Sequence, residues 1–157
     1  MTRPIPDGYH SVTPYLIVDR AADALAFYQK AFGAREIMRL DAPGGKIGHA
    51  EIQIGDSRIM LADEFPDMGS KSPKSVGGSP VSIHLYVEDV DQRFDQAVKA
   101  GAKMERAVED QFYGDRAGTL KDPFGHVWHI STHKEDVAPE EIYRRMQAKM
   151  GERRKAQ

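Results

Sequence analysis

No cysteine occurs anywhere in the 157-residue chain, which excludes disulfides, thiolate metal sites and cysteine nucleophiles together. No apolar run reaches the length needed to cross a bilayer, and the polar, proline-containing start from Met1 to Tyr9 lacks the hydrophobic centre of a signal peptide. A cytoplasmic protein with no membrane partner is therefore expected. Neither sign of charge dominates: 22 Lys and Arg face 24 Asp and Glu, a formal net charge of -2. Without an overall basic field there is no general attraction for nucleic acid by counterion release, and no nucleic-acid partner is expected. Only Arg144 to Lys155 is basic, a pattern that fits a solvated helix face. Also missing are a G-x-S-x-G elbow, an H-E-x-x-H pair and a phosphate-binding loop.

What is present describes one soluble globular domain. An apolar share of 40% with 29% charged residues can bury one core but not two independent ones at this length. Pro14 to Val18 has the composition of a short strand. Asp19 is then placed to cap a helix with Leu25, Tyr28 and Phe32 at helical spacing, stopped by Gly33. The pattern returns: a strand from Ile83 to Val87, a cap at Asp89, a helix with Val90, Phe94, Ala97 and Val98 on one face, and a stop at Gly101. Phe32-Gly33-Ala34 and Ala100-Gly101-Ala102 close the two helices alike, as an internal duplication does.

Three strand-like segments follow each helix. They are Arg35 to Leu40, Lys46 to Ile54 and Arg58 to Asp63 in the first half, then Lys103 to Asp110, Gly118 to Lys121 and His126 to Thr132 in the second. Glycine pairs and Asp122-Pro-Phe-Gly125 supply turns. The expected fold class is α+β: two tandem βαβββ modules at about 9–65 and 81–133, within one domain of residues 1–157. Between them, residues 66–80 are rich in Ser, Gly, Pro and Lys, a composition suited to a mobile linker or to a lid over a pocket. Residues 134–157 add a helical extension with Pro139 near its start and Ile142, Met146 and Met150 at i, i+4 and i+8 as a packing face.

Three strings carry a family resemblance. VDRAADALAFYQKAFGA, GHAEIQIGDSRIMLAD and YGDRAGTLKDPFGHVWHI resemble the vicinal-oxygen-chelate superfamily of glyoxalases, bleomycin-resistance proteins and dioxygenases, and within it the PhnB-like branch, over roughly residues 9–133. The resemblance implies curved sheets wrapping a cleft and, often, a homodimer. It also maps the four metal-ligand positions of metal-using relatives onto Thr13, Met60, Ser82 and His129. Only His129 is a credible donor, because Thr, Met and Ser side chains are poor ligands for a divalent ion. No cofactor is expected at that inherited set.

Strand alternation leaves a displaced set open. Ala50, Ile52 and Ile54 form the apolar side of one strand, so His49, Glu51 and Gln53 point the other way, and His84 shares a face with Ser82 and Tyr86. His84, His129, His49 and Glu51 could form a displaced divalent-metal site or an acid/base group, or simply a hydrogen-bonded pocket. Tyr15, Tyr86, Phe112 and Tyr113 could hold an aromatic ligand, whereas alternation puts Trp128 in the core opposite His129. His10 and His133 are expected at exposed edges and His126 in a structural role. The expected function is binding of an amphipathic or aromatic small molecule in a cleft lined by Thr13, Tyr15, His49, Glu51, Met60, Ser82, His84, Tyr86 and His129. The alternative is a lyase, isomerase or dioxygenase, with His84, Glu51 and His129 as its candidate catalytic groups and His84 favoured as base.

Overall fold

The computed structural model describes all residues, 1–157. Two four-stranded mixed sheets form, each with its own helix. The first module runs β1 (Tyr15–Val18), α1 (Ala21–Phe32), β2 (Arg35–Asp41), β3 (Ile47–Ile54) and β4 (Ser57–Asp63). A short helix α2 (Pro73–Val76) lies between the modules. The second module runs β5 (Ser82–Tyr86), α3 (Val90–Ala100), β6 (Lys103–Asp110), β7 (Asp115–Lys121) and β8 (Val127–His133), and α4 (Pro139–Lys155) ends the chain. The strand orders, β1-β4-β3-β2 and β5-β8-β7-β6, are the same in both sheets, with the first strand parallel to the last in each. The duplication inferred from sequence is thus a duplication of topology. No helix is long and apolar enough to cross a membrane.

One core serves both modules. The apolar side of β3 (Ala50, Ile52, Ile54) and that of β8 (Trp128, Ile130) are buried, and the helices lie on those sides and pack against each other. Trp128 of the second module sits 5.4 Å from the Tyr28 ring and 4.5 Å from the Phe32 ring of α1. A carboxylate fastens this seam. Asp122, 4% exposed, accepts from the Tyr28 hydroxyl at 2.6 Å and from Trp128 Nε1 at 2.9 Å through one oxygen. Its other oxygen accepts the backbone N–H groups of Phe124 and His126, both at 2.9 Å. Burial and the adjacent carboxylate raise the Tyr28 pKa well above the ordinary phenol value, so its hydroxyl stays a donor.

Two local expectations change. Asp19 does not cap α1: the residue before the helix is Arg20, and it makes no side-chain cap bond. The end of β4 does this instead, since Asp63 Oδ1 accepts from Ala21 N at 2.9 Å while its Oδ2 accepts from Ile47 N at 2.7 Å. A tertiary carboxylate thus replaces the local cap, which local spacing cannot reveal. Asp89 does cap α3, accepting from Gln92 N at 3.1 Å. The 66–80 segment, expected as a linker, carries a short helix and a set of side-chain bonds. Ser72 caps α2, Glu64 binds the Ser72 amide and the Ser75 hydroxyl, and buried Pro73 lies where a side chain on Gly125 (φ 91°) would meet it at 2.7 Å. β7 starts three residues earlier than expected, at Asp115. Within β7, Gly118 is required for helix docking, because a Cβ there would meet the Phe94 ring of α3 at 2.8 Å.

Removing the seam carboxylate strands four buried donors at once. Asp122→Ala is expected to destabilise the fold by about 3 kcal/mol or more, and Tyr28→Phe, which leaves three donors in place, by about 1–2 kcal/mol. Urea unfolding followed by circular dichroism measures both; equal losses would show that Asp122 acts only through Tyr28.

Candidate functional site: two matched rows of side chains

The sheet registers align one row of side chains across each module, on the side away from the helices. In the second module Arg106 on β6 pairs with Thr119 on β7, Thr119 with His129 on β8, and His129 with His84 on β5. In the first module the corresponding row is Met38 on β2, Glu51 on β3, Met60 on β4 and Tyr15 on β1. The rows are equivalent by topology but differ in chemistry.

The second-module row is built from imidazoles and hydroxyls. His129 Nδ1 lies 2.9 Å from Thr119 Oγ1 and its Nε2 lies 3.1 Å from Ser82 Oγ. His84 Nε2 is 2.8 Å from Ser131 Oγ, and its ring stacks on Tyr86 at 4.8 Å. The His84 and His129 rings are 5.9 Å apart. Burial first, and then the neighbouring His84 and Arg106, hold the His129 pKa below the ordinary imidazole value, so at neutral pH it is an uncharged hydrogen-bonding group. Both rings open on a cavity of about 480 Å³ whose other lining groups include Arg106, Glu109, Gln111, Tyr113 and Thr119, with Lys149 and Arg153 of α4. His84 also borders a smaller cavity of about 150 Å³ at the seam, with Thr13, His10 and Trp128.

The first-module row carries a hydrogen-bonded chain. The Tyr15 hydroxyl lies 2.7 Å from His49 Nδ1, His49 Nε2 lies 3.1 Å from Glu51 Oε2, and the Tyr9 hydroxyl donates to Glu51 Oε1. The Tyr9 bond first, then His49 and Arg58, keep the Glu51 pKa below the usual carboxylate range despite burial. An ionised Glu51 orients the His49 N–H and leaves Nδ1 to accept from Tyr15. Tyr9, which the sequence alone did not single out, is the anchor of this arrangement; its only sequence signal is an aromatic in the segment that precedes β1. Met60 sits between Tyr15 and Glu51 in the row.

The expected nine-residue cleft is therefore divided. Ser82, His84 and His129 stand together with Tyr86 on one sheet, Tyr15, His49, Glu51 and Met60 on the other, and Thr13 at the seam. No hydrogen bond joins the two groups. Tyr15 and Tyr86 are 47% and 59% exposed, so each row faces solvent in the single chain. Consequently the displaced quartet of His84, His129, His49 and Glu51 is not assembled: β3 belongs to one sheet and β5 with β8 to the other. No three His, Asp or Glu side chains converge in a group that could hold a metal ion, and both His129 ring nitrogens already face hydroxyls. The donor set of one chain does not fit a divalent ion.

The remaining expected residues occupy structural places. Trp128 is fully buried. His126 Nε2 bonds the carbonyl of Ile17 at 2.9 Å, a structural link to β1. Arg116, in the strand after the β6–β7 turn, forms a two-pronged pair with Asp91 at 2.8 and 2.9 Å and reaches Asp110 at 3.2 Å. His133, half exposed at a strand end, contacts Asp115 at 2.7 Å and Asp136 at 2.8 Å.

Comparison with known proteins agrees with this architecture. Residues 8–130 match the family model described as Glyoxalase/Bleomycin resistance protein/Dioxygenase superfamily. The chain is 47% identical over 135 residues to the uncharacterized protein Rv0887c of Mycobacterium tuberculosis, covering 84% of this chain and 79% of that one. It is 28% identical over 145 residues to protein YjdN of Escherichia coli, covering 79% and 96% respectively. Among solved structures, TioX from Micromonospora sp. ML1 superposes with a TM-score of 0.62 at 22% identity, over 82% of this chain and all of that one. The fosfomycin resistance protein FosX from Listeria monocytogenes, complexed with Mn(II) and sulfate, gives 0.61 at 19% identity, over 87% and 97%. The family match, spanning both modules, makes the chain a member of the glyoxalase/bleomycin resistance protein/dioxygenase superfamily.

Proposed function

We propose that this protein binds a small molecule in the second-module cavity, in the manner of a bleomycin-resistance protein and without a metal ion of its own. One observation carries the proposal: two imidazoles held by Ser82, Thr119 and Ser131 open on a cavity of about 480 Å³, a volume suited to a small ligand. Only three of its twelve lining residues are hydrophobic. The ligand is accordingly polar over most of its surface, in place of the amphipathic or aromatic compound expected from sequence. The proposal places the chain in the PhnB-like branch, as a cytoplasmic homodimer. Exposed Tyr15 and Tyr86, on rows that face solvent in one chain, support a second copy as the cover.

A second reading, an enzyme, is favoured by the Tyr15–His49–Glu51 chain. A hydroxyl, an imidazole and an orienting carboxylate in this order move a proton without a metal: His49 takes the Tyr15 proton while Glu51 stabilises the charged ring. Under this reading the base is His49 rather than His84, because the structure joins Glu51 to His49.

Three outcomes test these statements. In an NMR titration His129 is expected to protonate below the ordinary imidazole range, and His84→Ala is expected to raise the His129 midpoint by removing a neighbouring charge; an unchanged midpoint would mean that the two rings do not interact. A thermal-shift screen of polar metabolites is expected to yield binders whose shift disappears in the His84→Ala and His129→Ala variants, and binders indifferent to both would put the site elsewhere. For the enzyme reading, any turnover detected should fall by about 100-fold or more in His49→Ala, and turnover untouched by that change eliminates the relay.

A further inference from the structure

Helix α4 lies beyond the family match at 8–130, yet it reaches back to the second-module row. Its cations fall into two sets. Arg144 bonds Glu141 at 2.6 and 2.8 Å. Arg145 bonds Glu141, Glu135 and the carbonyl of Phe112. The Arg144 and Arg145 pairs with Glu141 lie within the helix, whereas the Arg145 bonds to Glu135 and to the Phe112 carbonyl tie its first half to the preceding segment and to the β6–β7 turn, assisted upstream by the amides of Lys134 and Glu135 on the carbonyl of Gly114. One and two helical steps further along the same face stand Lys149 and Arg153, at i+4 and i+8 from Arg145. Neither forms an ion pair; Lys149 lies only against the Phe112 ring, 5.9 Å from its centre. Both line the cavity. Arg106, at the far end of the row through Thr119 and His129, is a third lining cation without an ion pair. Glu109 is the one carboxylate in the lining. The wall thus carries an excess of two positive charges in a chain whose formal net charge is -2.

We infer that this cavity selects small anionic compounds bearing a phosphate, phosphonate or carboxylate group, held by Arg106 on one wall and by Lys149 and Arg153 of α4 on the other. The inference deepens the proposed ligand-binding function and rests on it. Imidazoles and hydroxyls supply hydrogen bonds, and the three cations supply the charge that an anion needs on leaving water. Basic residues at a helix C-terminus also complement its dipole, but Arg154 and Lys155 serve that purpose without lining the cavity, and Lys149 lies outside the last turn.

The test uses the full chain, with the imidazole C–H signals of His84 and His129 as reporters and inorganic phosphate, methylphosphonate, acetate and the neutral dimethyl methylphosphonate as probes. At least one anion is expected to shift both signals while the neutral ester does not. Lys149→Gln/Arg153→Gln is expected to weaken that anion by about ten-fold or more, whereas Arg154→Gln changes it less than about two-fold; added salt weakens the wild type by screening. Circular dichroism confirms that α4 persists in each variant. Equal binding of anion and neutral ester, or anion affinity unmoved by the double substitution, overturns the inference. If neutral polar compounds shift the His84 and His129 signals and no anion does, the inference falls and the binding site stands. If no compound of either charge shifts them, both fall.

Discussion

Four donors converge on the buried carboxylate of Asp122: a phenol from α1, an indole from β8 and two backbone amides of its own turn. Each donor offsets part of the cost of holding a carboxylate away from water. Together they tie the helix of one module to the last strand of the other. The aromatic cluster of Tyr28, Phe32, Phe124 and Trp128 surrounds this point, so the two modules share one core and neither buries its helix alone. The orientation of β8 follows from this contact. With Trp128 held in the core, alternation turns His129 to the opposite side, and parallel pairing with β5 sets His84 beside it. The chemistry of the row therefore depends on a contact made on its reverse side.

Duplicated topology has allowed the two rows to diverge. At equivalent places one module has Met60 and the other His129, one Tyr15 and the other His84, one Glu51 and the other Thr119. The first row became a hydrogen-bonded chain from Tyr15 through His49 to Glu51, with Tyr9 bracing the carboxylate. The second has imidazoles surrounded by hydroxyls, a hydrogen-bonding floor to which α4 and β6 add charge. FosX of Listeria monocytogenes, which shares the fold, is complexed with Mn(II) in its own structure.

Helix α4 shows how an appended element acquires a role from its attachment. Its hydrophobic residues are all at least partly exposed, and it is held by Arg145, which bonds Glu135 and the Phe112 carbonyl, and by backbone bonds from the segment before it to the β6–β7 turn. Such exposed pairs are individually weak; their number and the covalent connection to β8 position the helix. The expected face of Ile142, Met146 and Met150 is not where the helix meets the site. That face is the neighbouring basic one.

Residue pattern alone determined the two βαβββ modules, the buried faces of β3 and β8, the place of Trp128 and the Asp89 cap. These follow from periodicity and residue type, which are local properties of the chain. Tertiary structure decided the rest. Asp63 caps α1 in place of Asp19, His49 and Glu51 join Tyr9 and Tyr15 rather than His84 and His129, and Lys149 and Arg153 of the solvated α4 also line a cavity. Each of these depends on which sheet or helix a residue meets across the fold, and alternation specifies the side of a strand without naming what lies opposite.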